Sequence, residues 1–267
     1  MKYMGSKARI ANEILPIILK NRKSEQYYVE PFCGGCNSLD KVCGNVIGSD
    51  YNKYLIAMWK GLQDGLERPS VINKELYSAA RIDYNNNSNT RFSDFEIGWI
   101  GWMASFNGRF FDGGYSGKSS NRDYVLEQIK NTESQILKIK NVIFKACSYD
   151  ELVIPDNSII YCDPPYNGTK QYLVSKNFDY NKFWEWCRNM SINGHEVYIS
   201  EYNAPSDFEC IWSKELTNSL NTYKTYIPIE KLFKFKRSWN VIKYIIMGTK
   251  LTISEQIEVL KESKKSL

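Results

Sequence analysis

The tetrapeptide Asp-Pro-Pro-Tyr at residues 163–166 contains the groups of this chain best suited to hold an amine. It directly follows the apolar segment Ser158–Cys162, which predicts a buried strand. Two consecutive prolines remove two N–H donors, so the turn leaves backbone carbonyls free to accept hydrogen bonds. The Asp163 carboxylate and the Pro164 carbonyl offer two acceptors for one NH₂ group, and Tyr166 offers a flat face for a planar ring. This combination suits the exocyclic amine of a nucleobase, whereas Asp-Pro-Pro alone would indicate only a strand-ending turn.

A glycine-containing turn is the second candidate site. The segment Tyr27–Phe32 predicts a short buried strand, and Cys33–Asn37 follows it with two adjacent glycines. Glycine lets the backbone approach a ligand closely, but this spacing is neither the dinucleotide fingerprint G-x-G-x-x-G nor a phosphate-binding P-loop. Asp50 ends the next predicted strand, Asn45–Ser49, at the position from which an acid binds ribose hydroxyls. Taken alone, a Gly-Gly turn and a helix-capping Asp are both common.

The elements that must position these groups follow a strand, turn, helix, strand order, which predicts a parallel sheet with helices on its faces. Ligands of such sheets bind outside the carboxyl ends of the strands, where the candidate segments lie. The remaining predicted strands are Val142–Ala146, Glu196–Ser200 and Val241–Met247. The predicted helices are Ser6–Lys20 with Ser6 as N-cap, Tyr51–Leu66, Phe95–Met103 and Asp123–Lys140. Asp83–Asn89 is predicted to be a loop, and Asn107–Lys118 a loop or hairpin.

The domain organisation follows from where strand signals fade. They weaken after Asp50 and return only at Val142. We therefore predict one domain formed by residues 1–54 and 141–267, interrupted by a mostly helical domain at residues 55–140.

Composition excludes several classes of protein. The 267 residues are 43% hydrophobic and 24% charged with a net charge of +5, which is ordinary globular usage and permits a nucleic-acid partner. Apolar runs are too short for a membrane span, and residues 1–9 do not read as a secretory signal. Seven cysteines, an odd number, favour reduced thiols in the cytosol. One Cys33-x-x-Cys36 pair and the distant His195 do not supply the four ligands of a zinc site, so no metal is predicted.

Taken together, these motifs resemble the Dam-type (class alpha, D12) adenine-N6 DNA methyltransferases over nearly the whole chain. The matching elements come in that family's order. They are Lys2–Lys7 for the family's K-[WY]-x-G-[GS]-K element, Glu30–Gly35 for the cofactor loop, Asp50–Asn52 for the acidic ribose element, Asp163–Tyr166 for the catalytic tetrapeptide and Ser200–Asn203 for the segment after the next strand. The cofactor loop reads C-G-G-C here, whereas the family more often has x-G-x-G.

The resemblance implies an α/β, Rossmann-like methyltransferase fold with a mixed, mostly parallel sheet and an inserted, mainly helical target-recognition domain. It implies S-adenosylmethionine as methyl donor, with S-adenosylhomocysteine as product. The implied catalytic residues are Asp163, Pro164, Pro165 and Tyr166. The implied cofactor-binding residues are Tyr3, Gly5, Lys7, Glu30, Pro31, Phe32, Gly34, Asp50, Tyr149 and Asp163.

Double-stranded DNA is the partner that the resemblance implies, with the target adenine flipped out of the duplex. Residue types that suit base edges and phosphates predict a DNA surface. Its members are Asn107, Arg109, Tyr115, Lys118, Lys234, Lys236 and Arg237. We expect a monomer or weak dimer in the cytoplasm of a bacterial or phage-infected cell.

Three alternatives stay open. The same chemistry could act on N4 of cytosine or on a non-DNA amine, although the cytosine enzymes commonly have serine at the position of Asp163. A catalytically silent DNA-binding protein could retain the fold, although Asp50 and Asp163 are both intact. A nicotinamide oxidoreductase would need the glycine fingerprint that this chain lacks.

Overall fold

The computed structural model of this chain describes residues 1–87, 90–119, 121–168, 177–215 and 229–236. The helices of these residues are α1 (Ala11–Ile18), α2 (Lys53–Gln63), α3 (Lys74–Asn85), α4 (Asp94–Ala104), α5 (Tyr124–Ile139) and α6 (Tyr180–Ile192). The strands are β1 (Tyr28–Glu30), β2 (Val46–Asp50), β3 (Lys118–Ser119), β4 (Arg122–Asp123), β5 (Ile143–Ala146), β6 (Ile159–Cys162), β7 (Glu196–Glu201), β8 (Phe208–Glu215) and β9 (Ile229–Phe235).

Seven of these strands form one twisted sheet in the order β5, β2, β1, β6, β7, β9, β8. The first five run parallel, whereas β9 is antiparallel to both of its neighbours. This confirms the predicted mixed, mostly parallel sheet. The strand order reverses direction between β1 and β6, and the crevice outside the carboxyl ends of such a pair is the usual ligand site of open α/β sheets.

Local sequence explains why the helices begin where they do. Asn52 accepts hydrogen bonds from the first backbone N–H groups of α2, and Asp179 does the same for α6. Ser93 and Glu96 form a reciprocal capping box at the start of α4. Nearly every residue of α4 is buried, so this helix forms the centre of the helical segment rather than an amphipathic covering.

The sheet and the helical segment share one hydrophobic core. Trp59 of α2 stacks on Phe144 of β5 with ring centroids 6.4 Å apart, and α2 also packs against α4. Buried residues of α1, α2, α4, α5 and one face of the sheet belong to the same cluster. The division at residues 55–140 stays a prediction, and this shared core means that the two parts are packed together on one face of the sheet.

Several predicted elements differ from the observed ones. The segment from Ser6 starts with a 3₁₀ turn, so the first α-helix begins only at Ala11, although Ser6 does cap that turn. Helix α3 runs through Asn85 and includes the start of the predicted loop, because its N-cap at Asn73 and buried Tyr77 and Ala80 outweigh the polar residues at its end. Strands β8 and β9 had no predicted counterpart, and the predicted strand Val241–Met247 lies outside the described residues.

Among the described residues, no helix has both the length and the apolar character needed to cross a membrane.

Candidate active site

A cleft of about 630 Å³ opens at the carboxyl ends of the parallel strands. The loops after β1, β2, β5 and β6 form its walls, and residues 3–7 run across it. Every residue predicted to bind the cofactor or to catalyse lines this one cleft. The members are Tyr3, Gly5, Lys7, Glu30, Pro31, Phe32, Gly34, Asp50, Tyr149, Asp163, Pro164, Pro165 and Tyr166.

Asp163 follows the last residue of β6 and forms an ion pair with Lys7, whose Nζ lies 3.0 Å from Asp163 Oδ1. The Asp163 side chain is 22% exposed, so a ligand in the cleft can reach it, while the Lys7 side chain is only 8% exposed. Burial raises the pKa of Asp163 to about 6, although Lys7 acts in the opposite direction. Burial alone would lower the pKa of Lys7, but Asp163 and Glu230 raise it, so Lys7 remains an ammonium.

Tyr166 is held from three sides. Its hydroxyl donates to Glu230 Oε2 at 2.8 Å, and the Lys7 ammonium lies 4.4 Å from the centroid of its ring. The ring of Tyr202 packs edge-on against it at 4.8 Å. These contacts position the aromatic ring beside the Asp163 carboxyl group.

Asp50 connects the second strand to the cofactor loop. The Gly34 N–H donates to Asp50 Oδ2 at 3.2 Å, and the Asn52 N–H donates to Asp50 Oδ1 at 2.9 Å. Burial raises the pKa of Asp50 to about 6, against the effect of these two N–H donors. Trp59 holds the same loop from behind, because its Nε1–H donates to the Gly34 carbonyl at 3.0 Å.

Residues 2–7 form a strap that lies directly on the cofactor loop. A Cβ added at Gly34 or Gly35 would come within 2.8 or 2.7 Å of Tyr3, so both positions need glycine. On its other side the ring of Tyr3 stacks on Trp102 of α4 at 5.0 Å. The two adjacent glycines of the C-G-G-C sequence are therefore explained by the close approach of Tyr3.

An aromatic wall closes the far side of the cleft. Phe32, Tyr149 and Phe178 lie with their ring centroids 5.5 to 5.9 Å apart. Phe178 was not predicted, although an aromatic residue directly before Asp179, the N-cap of α6, is a signal for a side chain packed at a helix start. The wall provides apolar, planar surface for a heterocyclic ring.

Glu30 is a buried acid at the base of the cleft. Its carboxyl oxygens accept hydrogen bonds from the Tyr28 hydroxyl at 2.7 Å and from the Ser38 hydroxyl at 3.1 Å. Burial raises the pKa of Glu30 to about 8, and the two hydroxyl donors do not fully offset this effect. Glu30 is therefore mostly protonated and uncharged at neutral pH.

Comparison with known proteins decides the family. Residues 3–232 match the family model described as D12 class N6 adenine-specific DNA methyltransferase, which is most of the chain and includes every residue of the cleft. The chain belongs to this family. A D12 methyltransferase uses S-adenosylmethionine, so the cofactor implied by the sequence motifs is confirmed at the level of the family.

One solved structure among those that match is SMU.472, described as a methyltransferase and complexed with SAH. It is 13% identical to this chain with a TM-score of 0.35. The match covers 86% of this chain and 52% of SMU.472, so this chain spans about half the length of that protein. At that TM-score the match carries no argument about fold or function.

The charge of the cleft in this chain fits a cationic cofactor. Besides the mostly uncharged Glu30, five acidic residues line it against two lysines, Lys7 and Lys182. These acids are Asp50, Asp150, Asp163, Asp179 and Glu230. S-adenosylmethionine carries a sulfonium and an ammonium group against one carboxylate, so a surplus of acids favours it over a phosphate-bearing cofactor.

The residues predicted to read DNA in the helical segment lie around one irregular turn. Asn107 is exposed and has a φ of 56°, beside the half-exposed ring of Phe106. Arg109 pairs with Asp112 at 2.5 Å, and Lys118 pairs with Asp123 at 3.3 Å on the surface. Tyr115 is partly buried, and its hydroxyl donates to the Ile72 carbonyl at 2.8 Å. Asn107 and Lys118 are thus exposed, whereas Arg109 and Tyr115 are both partly buried.

The turn at Asn107 lies close to the cleft. A Cβ on Gly108 would come within 2.5 Å of the Lys2 carbonyl oxygen and 3.1 Å of the Tyr3 Cα atom. The strap that covers the cofactor loop is therefore also the surface on which this turn packs. No part of this arrangement was visible in the spacing of the motifs.

The structure places the remaining predicted DNA-binding lysines elsewhere. Lys234 forms an ion pair with Glu196, the first residue of β7, at the amino ends of the parallel strands. Its Nζ lies 3.0 Å from Glu196 Oε2. Lys236 donates to the Ser206 carbonyl at 2.6 Å near the same edge. The Nζ atoms of both lysines therefore make their contacts towards the amino ends of the parallel strands, whereas Asp163 lies at the carboxyl ends. Arg237 lies outside the described residues.

Metal ligands do not gather anywhere in the part of the chain that the structure describes. Cys33 and Cys36 are both buried free thiols within the cofactor loop.

Proposed function

We propose that this chain transfers a methyl group from S-adenosylmethionine to N6 of an adenine that is flipped out of duplex DNA. The observation that carries this proposal is the position of the Asp163–Tyr166 turn, which shares one cleft with the cofactor loop and with Asp50. An amine held by this turn would lie beside the methyl donor. Membership of the D12 family supports adenine as the acceptor.

The difficult part of this reaction is the nucleophile, because the N6 lone pair of adenine is delocalised into the ring. When bound, S-adenosylmethionine supplies an electrophilic methyl group on sulfur. The Asp163 carboxylate and the Pro164 carbonyl accept hydrogen bonds from the two N6–H groups and draw the amine towards a tetrahedral shape. As the N–C bond forms and the C–S bond of the donor breaks, positive charge develops on nitrogen, and the Asp163 carboxylate stabilises it electrostatically. The nitrogen then loses one of its two protons, which leaves neutral N6-methyladenine and S-adenosylhomocysteine. Holding the amine in line with the donor supplies the proximity contribution.

Base flipping follows from the position of Asp163. Its carboxyl group lies within a cleft whose walls are the loops of the sheet, and a base paired within a duplex cannot enter such a cleft. The ring of Tyr166 is the proposed stacking surface for the extruded adenine. Tyr166 lines the same cleft as Asp163, so a base held by Asp163 would lie beside this ring.

Target recognition is assigned to the segment around Asn107. Its exposed side chain can make paired hydrogen bonds to a base edge, and Arg109 and Lys118 can reach phosphates or bases. Contact between Gly108 and the strap supports this assignment, because it brings the turn next to the cleft. The proposed DNA surface does not include Lys234 and Lys236, because their Nζ atoms make contacts towards the amino ends of the parallel strands.

The deciding experiment is incubation of the protein with S-adenosylmethionine labelled in the methyl group and duplexes of varied sequence, followed by nucleoside analysis. We expect the label in N6-methyladenine and in duplexes sharing a short sequence. Label only in cytosine would overturn the adenine assignment. Binding of duplex without any labelled nucleoside would instead show a catalytically silent DNA-binding protein.

A further inference from the structure

The ion pair between Lys7 and Asp163 raises an electrostatic difficulty for the proposed reaction. An ammonium 3.0 Å from the carboxylate cancels most of its charge at the place where positive charge must develop. A neutral pair would stabilise a cationic amine far less than a carboxylate alone. The site therefore needs a further negative charge close to Lys7.

Glu230 on β9 supplies a carboxylate at this place. Its Oε2 lies 3.8 Å from Lys7 Nζ and accepts the Tyr166 hydroxyl at 2.8 Å. The side chain is 8% exposed, so its charge is poorly screened by water. One ammonium and two carboxylates, those of Asp163 and Glu230, leave this cluster with a net charge of −1.

Other titratable groups around Asp163 do not replace Glu230. Glu201 on β7 faces backbone N–H groups, including that of Asn167 at 2.7 Å, instead of Lys7. Glu30 has a pKa raised to about 8 by burial and carries little charge at neutral pH. The hydroxyls of Tyr161 and Tyr166 are neutral, because burial raises the pKa of each well above its ordinary value.

We propose that Glu230 is a positioning residue of the methyl transfer, which keeps the Lys7–Asp163–Glu230 cluster negatively charged and fixes the ring of Tyr166. This inference rests on the proposed function, since it concerns the charge that develops on the acceptor amine. Lys7 keeps Asp163 ionised and oriented in the closed cleft, and Glu230 compensates the charge that Lys7 brings.

Glu230→Gln isolates the charge, because a glutamine carbonyl can still accept the Tyr166 hydroxyl. The cluster then becomes neutral, and we expect kcat to fall about 10- to 100-fold with little change in the KM for S-adenosylmethionine. Tyr166→Phe is the matched variant that removes the hydroxyl contact and leaves the charge.

A charge-rescue experiment distinguishes this role from a structural one. Lys7→Met combined with Glu230→Gln leaves Asp163 as the single charge of the cluster, which restores its net charge of −1. Because Lys7 lowers the pKa of Asp163, the variants are compared at a pH high enough to ionise Asp163 without Lys7. There we expect the double variant to recover at least about 10-fold in kcat relative to Glu230→Gln. A double variant no faster than Glu230→Gln would overturn the proposal, because lost packing at two positions is not repaired by removing an ammonium.

A second measurement does not depend on the acceptor. Glu230 raises the pKa of Asp163 through its negative charge, as Glu201 also does, while Lys7 lowers it. Carboxyl-carbon NMR titration is expected to give a lower pKa for Asp163 in Glu230→Gln than in the wild type. An unchanged pKa would overturn the role of Glu230 whatever the acceptor. Absence of adenine methylation by the wild-type protein would instead overturn the proposed function.

Discussion

Similar side chains meet at the amino and the carboxyl ends of the parallel strands, but their charge balance and burial differ. At the amino ends of the parallel strands, Lys234 pairs with Glu196 at 3.0 Å, and its Nζ lies 4.7 Å from the centroid of the Tyr198 ring. At the carboxyl ends, Lys7 likewise meets Asp163 and the ring of Tyr166. Both ends therefore have a lysine that pairs with a carboxylate and lies over a tyrosine ring.

The difference lies in how the charges balance and how deeply they are buried. Lys234 and Glu196 are each more than a quarter exposed and balance one another, which is typical of a surface ion pair of small energetic value. Around Lys7 there are more carboxyl groups than cations, and burial raises the pKa of Asp50 and Asp163 to about 6. Uncompensated acids inside a cleft are costly for folding and indicate a site for a cationic ligand or reaction.

The largest expected effect is on kcat and comes from replacing Asp163 at the carboxyl ends of the strands. Asp163→Asn keeps the shape of the side chain and removes its charge, so we expect kcat to fall about 10²- to 10³-fold or more. Binding of S-adenosylhomocysteine, measured by calorimetry, should remain. Asp207→Asn near the amino edge, where Asp207 pairs with Arg188, is the matched control and should leave kcat unchanged. Equal kcat values for Asp163→Asn and the wild type would refute the catalytic assignment.

Buried Glu30 should make stability depend on pH. Its pKa is raised from 4.5 to about 8 in the folded protein, so the folded state binds this proton more tightly than the unfolded chain. The free energy of unfolding is therefore greatest below about pH 4.5 for this group and decreases as the pH rises towards 8. Asp50 and Asp163 act in the same direction up to about pH 6.

Thermal unfolding measured from pH 5 to pH 8 tests this expectation. We expect the Tm of the wild type to fall by about 5 °C or more over this range. Glu30→Gln should abolish the decrease in Tm between pH 6 and pH 8. Glu196→Gln, at the amino ends of the strands, should show the same decrease in Tm as the wild type. A Glu30→Gln variant with the wild-type pH dependence would show that Glu30 is not the titrating group.

A smaller effect is expected at the turn beside the strap. Asn107→Gly removes the side chain but tolerates the φ of 56°, so the fold should be preserved. Discrimination between target and non-target duplexes should weaken by about 1–3 kcal/mol, measured by competition binding. Asn87→Gly is the matched control, because Asn87 is also exposed and has a φ of 49°. An unchanged preference in Asn107→Gly would remove this residue from target recognition.

The smallest effect is expected from Lys234. Lys234→Met breaks the pair with Glu196 and should cost at most about 1 kcal/mol in the free energy of unfolding. Its dissociation constant for duplex DNA should equal that of the wild type at the same salt concentration. A marked increase in that constant would restore the sequence-based prediction that this lysine binds phosphate.

Much of the site could be predicted because its residues follow strands directly. Glu30, Asp50 and Asp163 stand at or just after the ends of β1, β2 and β6, and parallel strands bring such positions to one edge. The β8–β9 pair was missed because the predicted last strand was placed later in the chain. Glu230 was missed with it, because no predicted element contains it.

The amino-acid sequence by itself determined the family, the parallel strands and the segments that meet in the cleft, because each depends on local apolar runs and on turns with proline or glycine. Only the tertiary structure decided the charge balance of the site. Strand β9 pairs antiparallel to β7 and delivers Glu230 to Lys7, and the strap carries Tyr3 and Lys7 over the cofactor loop. These are contacts between distant segments, and strand register and packing set them rather than any local pattern.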